Sequence, residues 1–149
     1  MSEHEFLEHL RQDHEEQKTL GKKLSEAKEP DERERLRKQF YESLHPHIMG
    51  EEASIFPRLK KSDDEEARDD SLEGLQEHHV AKLVLRELMD LETNSDIFKA
   101  KAKVLDELNR HHIEEEEKDI FGHLKKQCSK EEMDKLFKQY EEAEEGAKS

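Results

Sequence analysis

The chain contains little of what disulfide-bonded and membrane-spanning proteins need. It has no tryptophan, one cysteine, three prolines and five glycines among 149 residues. The single Cys128 allows no intrachain disulfide and is compatible with a reducing cytoplasm. No stretch approaches the roughly 18 apolar residues that would span a bilayer. The N-terminal residues show no basic segment followed by an apolar run, so we expect no secretory signal and a cytoplasmic location.

The charge balance is strongly acidic. A formal net charge of −14 argues against nucleic acid and anionic membranes as partners. Hydrophobic residues make up 31% of the chain and charged residues 44%, so the core must be thin. The abundance of Glu, Lys, Leu and Ala is typical of a chain that is almost entirely helical. The length is that of one domain, residues 1–149.

Hydrophobic periodicity predicts four long helices. The first covers about residues 2–27 and the second about 31–61, with Asp31 as the N-cap and kinks or loosening expected at Pro46 and Pro57. The third helix follows an acidic connection at 62–70, which is loop or a short helical piece. The fourth helix begins after a turn at 93–96 and continues to about residue 127.

A fifth, shorter helix is predicted at the C-terminus. The sequence from Ser129 to Glu132 matches the capping-box pattern, and it places this terminal helix at about residues 128–146. Short connections favour antiparallel neighbours. We therefore expect an all-α, up-down-up-down four-helix bundle with a short additional C-terminal helix packed on or beside it.

One short pattern occurs twice in the chain. His47 is followed four residues later by Glu51, and His112, 65 positions further on (112 − 47), is followed four residues later by Glu116. On an α-helix this spacing puts the histidine and the carboxylate about 40° apart on one face. Imidazole nitrogen and carboxylate oxygen pointing together into a bundle suit iron or manganese.

The first and third helices repeat a second element. Gln12-Asp13-His14 resembles Gln76-Glu77-His78, so His14 and His78 become candidate ligands as well. His79 is an alternative to His78, because its spacing from the preceding leucines is similar to that around His14. Two such halves facing each other would give each of two metals two histidines, with carboxylates bridging between them.

An exposed helical His–Glu pair, worth about 0.3 kcal/mol, is the alternative interpretation of each repeat. The apolar residues that share a face with the two pairs argue against it: Phe40, Leu44, Ile48, Leu105, Leu108 and Ile120. A core-facing carboxylate must be paired or bound to a metal, and no core-facing Arg or Lys is evident as a counter-ion. The remaining acidic and histidine residues are expected to be solvated or supporting (Glu52, Glu117) or exposed (His4, His9, His45, His123), and Cys128 to be inert.

Taken together, these residues resemble the hemerythrin-like proteins of the HHE cation-binding type. The resemblance covers about residues 3–145, and it implies a four-helix bundle around a non-heme di-iron centre. Its cofactor would be two iron ions (Fe2+/Fe3+) with an oxo or hydroxo bridge. The family ligands carried over to this chain are His14, His47, Glu51, His78, His112 and Glu116.

The departures from the oxygen-carrying members bear on function. Those proteins have a histidine where this chain has Lys82, and they place the fourth-helix carboxylate at the position of Glu117. The resemblance therefore implies reaction with, or sensing of, O2, hydrogen peroxide or NO, with catalase-like peroxide decomposition as the enzymatic possibility. The alternatives are a reversible oxygen, NO or iron sensor or storage module without turnover, and a structural bundle. We expect a monomer or weak dimer.

Overall fold

The computed structural model describes residues 3–148, which are mostly helical and contain no strand. The elements in chain order are α1 (Glu5–Glu26), α2 (Pro30–Ala53), α3 (Ile55–Lys60), α4 (Glu65–Asp90), α5 (Phe98–Glu115), a π-helical turn (Glu116–Ile120), α6 (Phe121–Gln127) and α7 (Lys130–Lys148). The predicted start of the first helix at Ser2 lies outside the described residues. Within those residues, no helix has both the length and the apolar character that crossing a membrane requires.

The helices form the predicted antiparallel bundle. Helix α1 packs against α2 and α5, and α4 packs against α5, α2 and α3. Helices α2 and α3 together make up one rod of the bundle, and α5, the π turn and α6 make up another. The all-α, four-helix prediction is confirmed, and α7 lies along α2 as the additional C-terminal helix.

The second helix is shorter than predicted. It ends at Ala53, because Ser54 leaves the helical region with φ −128° and ψ −83°, and α3 then begins at Ile55. A proline ring clashes with the carbonyl four residues before it, which for Pro57 is that of Ala53, so the break precedes the proline. Pro46 lies inside α2 without ending it.

The caps and boundaries of the other helices also differ from the predictions in part. Pro30 occupies the first position of α2 and Glu29 precedes it, so the prediction of Asp31 as N-cap is wrong. Most of the acidic connection at 62–70 is helical, because the Asp64 carboxylate accepts from the Ala67 N–H and starts α4 at Glu65. Ser129 does cap α7, accepting from the Glu132 N–H at 3.1 Å.

Among residues 3–148, the core consists of two hydrophobic clusters, and a layer of buried polar side chains separates them along each of the four rods. One cluster is built around Phe6, Phe56, Phe121 and Tyr140, and the other around Phe40 and Phe98. Leu108 belongs to neither cluster and is 36% exposed, so its predicted inward position is wrong.

One arginine side chain is buried in the core, which the sequence did not predict. Arg37 faces the core, where its guanidinium donates to the carbonyls of Leu88 and Leu91 and to the Glu34 carboxylate. It caps the end of α4 and does not neutralise any carboxylate of the polar layer.

Helix α7 approaches α2 closely at Gly50. A Cβ atom there would lie 2.5 Å from Cδ2 of the buried Tyr140 ring. We therefore expect Gly50→Ala to lower the free energy of unfolding by about 1–3 kcal/mol, measured by urea denaturation. Gly122→Ala in α6 is the matched control, since a Cβ atom there would meet no neighbouring atom of residues 3–148 within 4 Å. Alanine also favours a helix over glycine by about 1 kcal/mol. An unchanged midpoint for Gly50→Ala would contradict this packing.

Candidate metal centre

Four rods of the bundle each contribute to the polar layer. All six of the candidate ligands are at most 7% exposed: His14 on α1, His47 and Glu51 on α2, His78 on α4, His112 on α5 and Glu116 in the π turn. The structure thus brings every predicted site residue to one place. His79, the alternative to His78, is exposed on the outer face of α4.

The six side chains form two groups that share both carboxylates. His14 and His47 belong to one group, and His78 and His112 to the other. Within each group the candidate ligand atoms all lie within 4.8 Å of one another. The imidazole centroids are 4.9 Å apart in the first pair and 4.6 Å apart in the second.

Glu51 directs one oxygen toward each histidine pair. Its Oε2 lies 3.1 Å from His47 Nε2, and its Oε1 lies 3.1 Å from His78 Nε2. Because these distances put one carboxylate in contact with both groups, Glu51 is placed as a bridging ligand would be.

Glu116 has the equivalent position in the second half. Its Oε2 lies 2.8 Å from His14 Nε2, and its Oε1 lies 3.7 Å from His112 Nε2. The π turn begins at this residue, while the break at Ser54 follows Glu51 in the first half. Both helices are therefore distorted next to their buried carboxylate. A π turn inside an α-helix is frequently found at functional sites.

Several inward-facing atoms have no hydrogen-bond partner among residues 3–148. They are His14 Nε2, His112 Nε2, Glu51 Oε2 and both carboxylate oxygens of Glu116, all of them buried. The short contacts of His14 with Glu116 and of His47 with Glu51 become ion pairs only when the imidazole is protonated. An unsatisfied buried polar atom costs about 1–3 kcal/mol. A metal cation would satisfy this set of nitrogen and oxygen donors, so the residues present fit a bound metal.

The opposite side of each imidazole is held by a carboxylate. The Nδ1 contacts are His14 with Glu117 at 2.7 Å, His47 with Asp13 at 3.0 Å, His78 with Glu52 at 2.9 Å and His112 with Glu77 at 2.7 Å. An Nδ1–H that donates outward leaves Nε2 as the acceptor that faces the centre. This is the arrangement that histidine ligands of metals commonly have.

The supporting carboxylates follow the internal repeat. Glu52 and Glu117, expected to be solvated or supporting, each follow a buried glutamate and bind a histidine on another helix. Asp13 and Glu77 were not singled out, although each directly precedes a candidate histidine. That repeated acid–histidine order was the signal that could have found them.

Tyr140 breaks the symmetry of the two halves. Its hydroxyl donates to Asp13 Oδ2 at 2.7 Å and lies 2.9 Å from His47 Nδ1. The ring comes from α7, which has no counterpart in the repeat. Sequence reasoning missed this residue because its contact is purely tertiary.

The prediction of four exposed histidines is wrong. His123 is buried, with its Nε2 2.8 Å from Asp70 Oδ2, and the other three are half-buried. His4 has a structural role, because its Nδ1 accepts from the Phe6 N–H and caps α1. Burial raises the pKa of Cys128 to about 11, so the thiol stays protonated at neutral pH.

The buried carboxylates control the protonation of the histidines. Burial disfavours the charged form of His47, but the adjacent Glu51 outweighs this and raises the pKa of His47 to about 9. Burial likewise opposes charge on His112, whereas Glu116 and Glu77 raise its pKa to about 10. For Glu51, burial is outweighed by the histidines around it, which hold its pKa well below the usual range. A cation entering the centre would displace these imidazole protons.

Comparison with known proteins agrees with the geometry. The family model of the hemerythrin HHE cation-binding domain matches residues 5–124, a range that includes all six candidate ligands but not α7. A hemerythrin-like protein of Schizosaccharomyces pombe is 28% identical over 120 residues, which make up 80% of this chain and 59% of that protein. The chain thus spans about three fifths of that relative's length. No solved structure matches the chain significantly.

Proposed function

Since the chain belongs to the hemerythrin HHE cation-binding domain family, we propose that it holds two iron ions and reacts with hydrogen peroxide or O2. The proposed ligands are the six buried side chains His14, His47, Glu51, His78, His112 and Glu116. The observation that carries the proposal is the sharing of Glu51 and Glu116 by two histidine pairs.

The donor chemistry supports iron. Each group offers two imidazole nitrogens and two carboxylate oxygens, a mixture that suits iron or manganese. No thiolate belongs to either group among residues 3–148. Four protein donors for each ion leave about two positions of an octahedral shell open for a small ligand.

The protein's own residues would set the charge and orientation of the centre. Glu51 and Glu116 supply two negative charges in a buried site, and the four outer carboxylates hold the imidazoles in place. When bound, iron supplies the electron transfer that O2, NO or peroxide chemistry requires.

Lys82 supports peroxide turnover over reversible oxygen carriage. Its Nζ lies 3.1 Å from Glu52 Oε1, and Glu52 in turn holds His78. The residue at this position therefore steadies an outer carboxylate and adds no imidazole to the centre. We propose catalase-like decomposition, in which two hydrogen peroxide molecules give two water molecules and one O2.

Oxygen release from peroxide tests this function. Protein loaded anaerobically with Fe(II) and gel-filtered should release one O2 for every two peroxide molecules, over many turnovers, in an oxygen electrode. His78→Ala should abolish this release, and the neighbouring His79→Ala, which changes an exposed histidine, should not. Release no faster than that from the same concentration of free iron would refute the enzyme. A reversible spectral change with O2 or NO, without turnover, would assign the sensor or storage function.

A further inference from the structure

A small cleft connects the metal centre to the surface on one side of the bundle. It has a volume of about 50 Å³ and lies between α4 and the region where α5 passes into the π turn. Among residues 3–148, no lysine or arginine lines it, and six carboxylates do, those of Asp70, Glu73, Glu77, Glu115, Glu116 and Asp119. We call this feature the acidic cleft.

The acidic cleft leads to donor atoms that lack partners. Glu116 lines it and is 1% exposed, and neither of its carboxylate oxygens forms a hydrogen bond within residues 3–148, although Oε2 lies 2.8 Å from His14 Nε2. His112 lines it too, and its buried Nε2 is equally unsatisfied among these residues. Atoms of this kind at the inner end of the cleft are ready to receive a cation.

The symmetry-related face of the bundle is covered by α7. In the internal repeat, Gly50 of the first half corresponds to Glu115 of the second half, 65 positions later (115 − 50). At Gly50 the Tyr140 ring packs directly against the helix. Phe6 corresponds in the same way to Asp70, 64 positions later (70 − 6). The Phe6 ring stacks on Phe137 of α7, with ring centroids 4.9 Å apart. Of two otherwise equivalent approaches to the centre, one is sealed by aromatic rings and the other is open and acidic.

The charge of the acidic cleft selects the class of ligand. O2, NO and hydrogen peroxide are neutral, so a lining of carboxylates does not attract them. A divalent cation is drawn into a negative, low-dielectric cleft, which raises its local concentration and its rate of association. Carboxylate oxygens are also suitable transient ligands for such a cation.

We propose that the acidic cleft is the port through which a divalent metal cation enters the His78–His112 side of the centre. This inference rests on the proposed function of the six buried ligands. Two members of the lining are the exposed Glu73 and the half-buried Asp119, and neither forms an ion pair or a hydrogen bond among residues 3–148. Glu77 is engaged with His112 and Asp70 with His123. Glu73 and Asp119 therefore capture the cation at the rim.

The rate of cobalt uptake tests this port. Apo protein is mixed with Co(II) in a stopped-flow instrument, and the visible absorption of bound cobalt is followed. The double variant Glu73→Gln/Asp119→Asn should load about tenfold more slowly at low ionic strength, yet still bind two ions per chain. The wild-type rate should fall steeply with added salt, and the rate of the variant much less.

A matched control removes two charges elsewhere. Glu16 and Glu42 are exposed on the α1–α2 face, and Glu16→Gln/Glu42→Gln should load as fast as the wild type. A Glu73→Gln/Asp119→Asn protein that binds two ions at the wild-type rate would overturn the port and leave the proposed function intact. Wild-type protein that takes up no cobalt would overturn the metal centre and the port together.

Discussion

Replacing Glu51 with glutamine is expected to empty both halves of the centre, not one. The two Glu51 oxygens lie 3.1 Å from His47 Nε2 and 3.1 Å from His78 Nε2, so each metal would lose a ligand. Glutamine keeps the size of the side chain but lacks the negative charge, and its amide N–H cannot bind a cation. Metal content after equilibrium dialysis should fall from two ions per chain to near zero, with an affinity loss of about 100-fold or more.

Glu52 provides the matched control for this substitution. It neighbours Glu51 in sequence and loses the same charge on change to glutamine, but its contacts are with the outer nitrogen of His78 and with Lys82, and not with the inner face of the centre. Substitution of such an outer partner typically weakens binding by 10–100-fold, so Glu52→Gln should still take up two ions at high metal concentration. If Glu51→Gln retained one ion at full affinity, Glu51 would not bridge the two groups.

Removal of metal should lower the melting temperature by about 10 °C or more. A ligand present at 1,000 times its dissociation constant raises the free energy of unfolding by about 4 kcal/mol. For a chain of this size, each kcal/mol shifts the melting temperature by about 2–4 °C. Without a cation, the buried charges of Glu51 and Glu116 are compensated only by protonated imidazoles, and several of the inward-facing atoms form no hydrogen bond among residues 3–148. Thermal melts of apo and Co(II)-loaded protein measure the difference, and equal midpoints would contradict a bound metal.

The difference in melting temperature between apo and Co(II)-loaded protein should widen as pH rises from about 6 to 9. In the apo protein, His47 and His112 keep their protons up to pKa values of about 9 and 10, against 6.5 in the unfolded chain. Their stabilising contribution is therefore complete below about pH 6.5 and is lost as pH rises through 9 to 10, by at most about 1.4 kcal/mol per pH unit for each group. In the loaded protein these imidazoles are neutral ligands, so protons compete with the metal at low pH instead. A difference that narrows with rising pH would contradict this protonation scheme.

The internal repeat explains why so much of the candidate site could be predicted. A histidine and a carboxylate four residues apart lie on the same face of any helix. The apolar residues around His47 indicate that this face points toward the core. His78 could be preferred over His79 by helical angle alone, and the structure places His78 inside and His79 outside. These are local properties of single helices.

What could not be predicted depends on contacts between helices or on backbone irregularities. The break at Ser54 agrees with the loosening expected at Pro57, but nothing in the hydrophobic periodicity indicated the π turn at Glu116–Ile120. His123 is buried by its tertiary partner Asp70. Tyr140 reaches His47 from a helix outside the repeat, so no pattern within a single helix could predict that contact.

The iron content of the wild-type protein tests the shared, buried centre most directly. The protein should be incubated with excess Fe(II) under anaerobic conditions, passed through a gel-filtration column and measured by mass spectrometry of the metal against protein concentration. Two carboxylates shared by two histidine pairs predict two iron ions per chain. A protein that emerges with no iron, and equally with no manganese, cobalt or zinc when those are offered, would show that the six side chains do not form a metal centre.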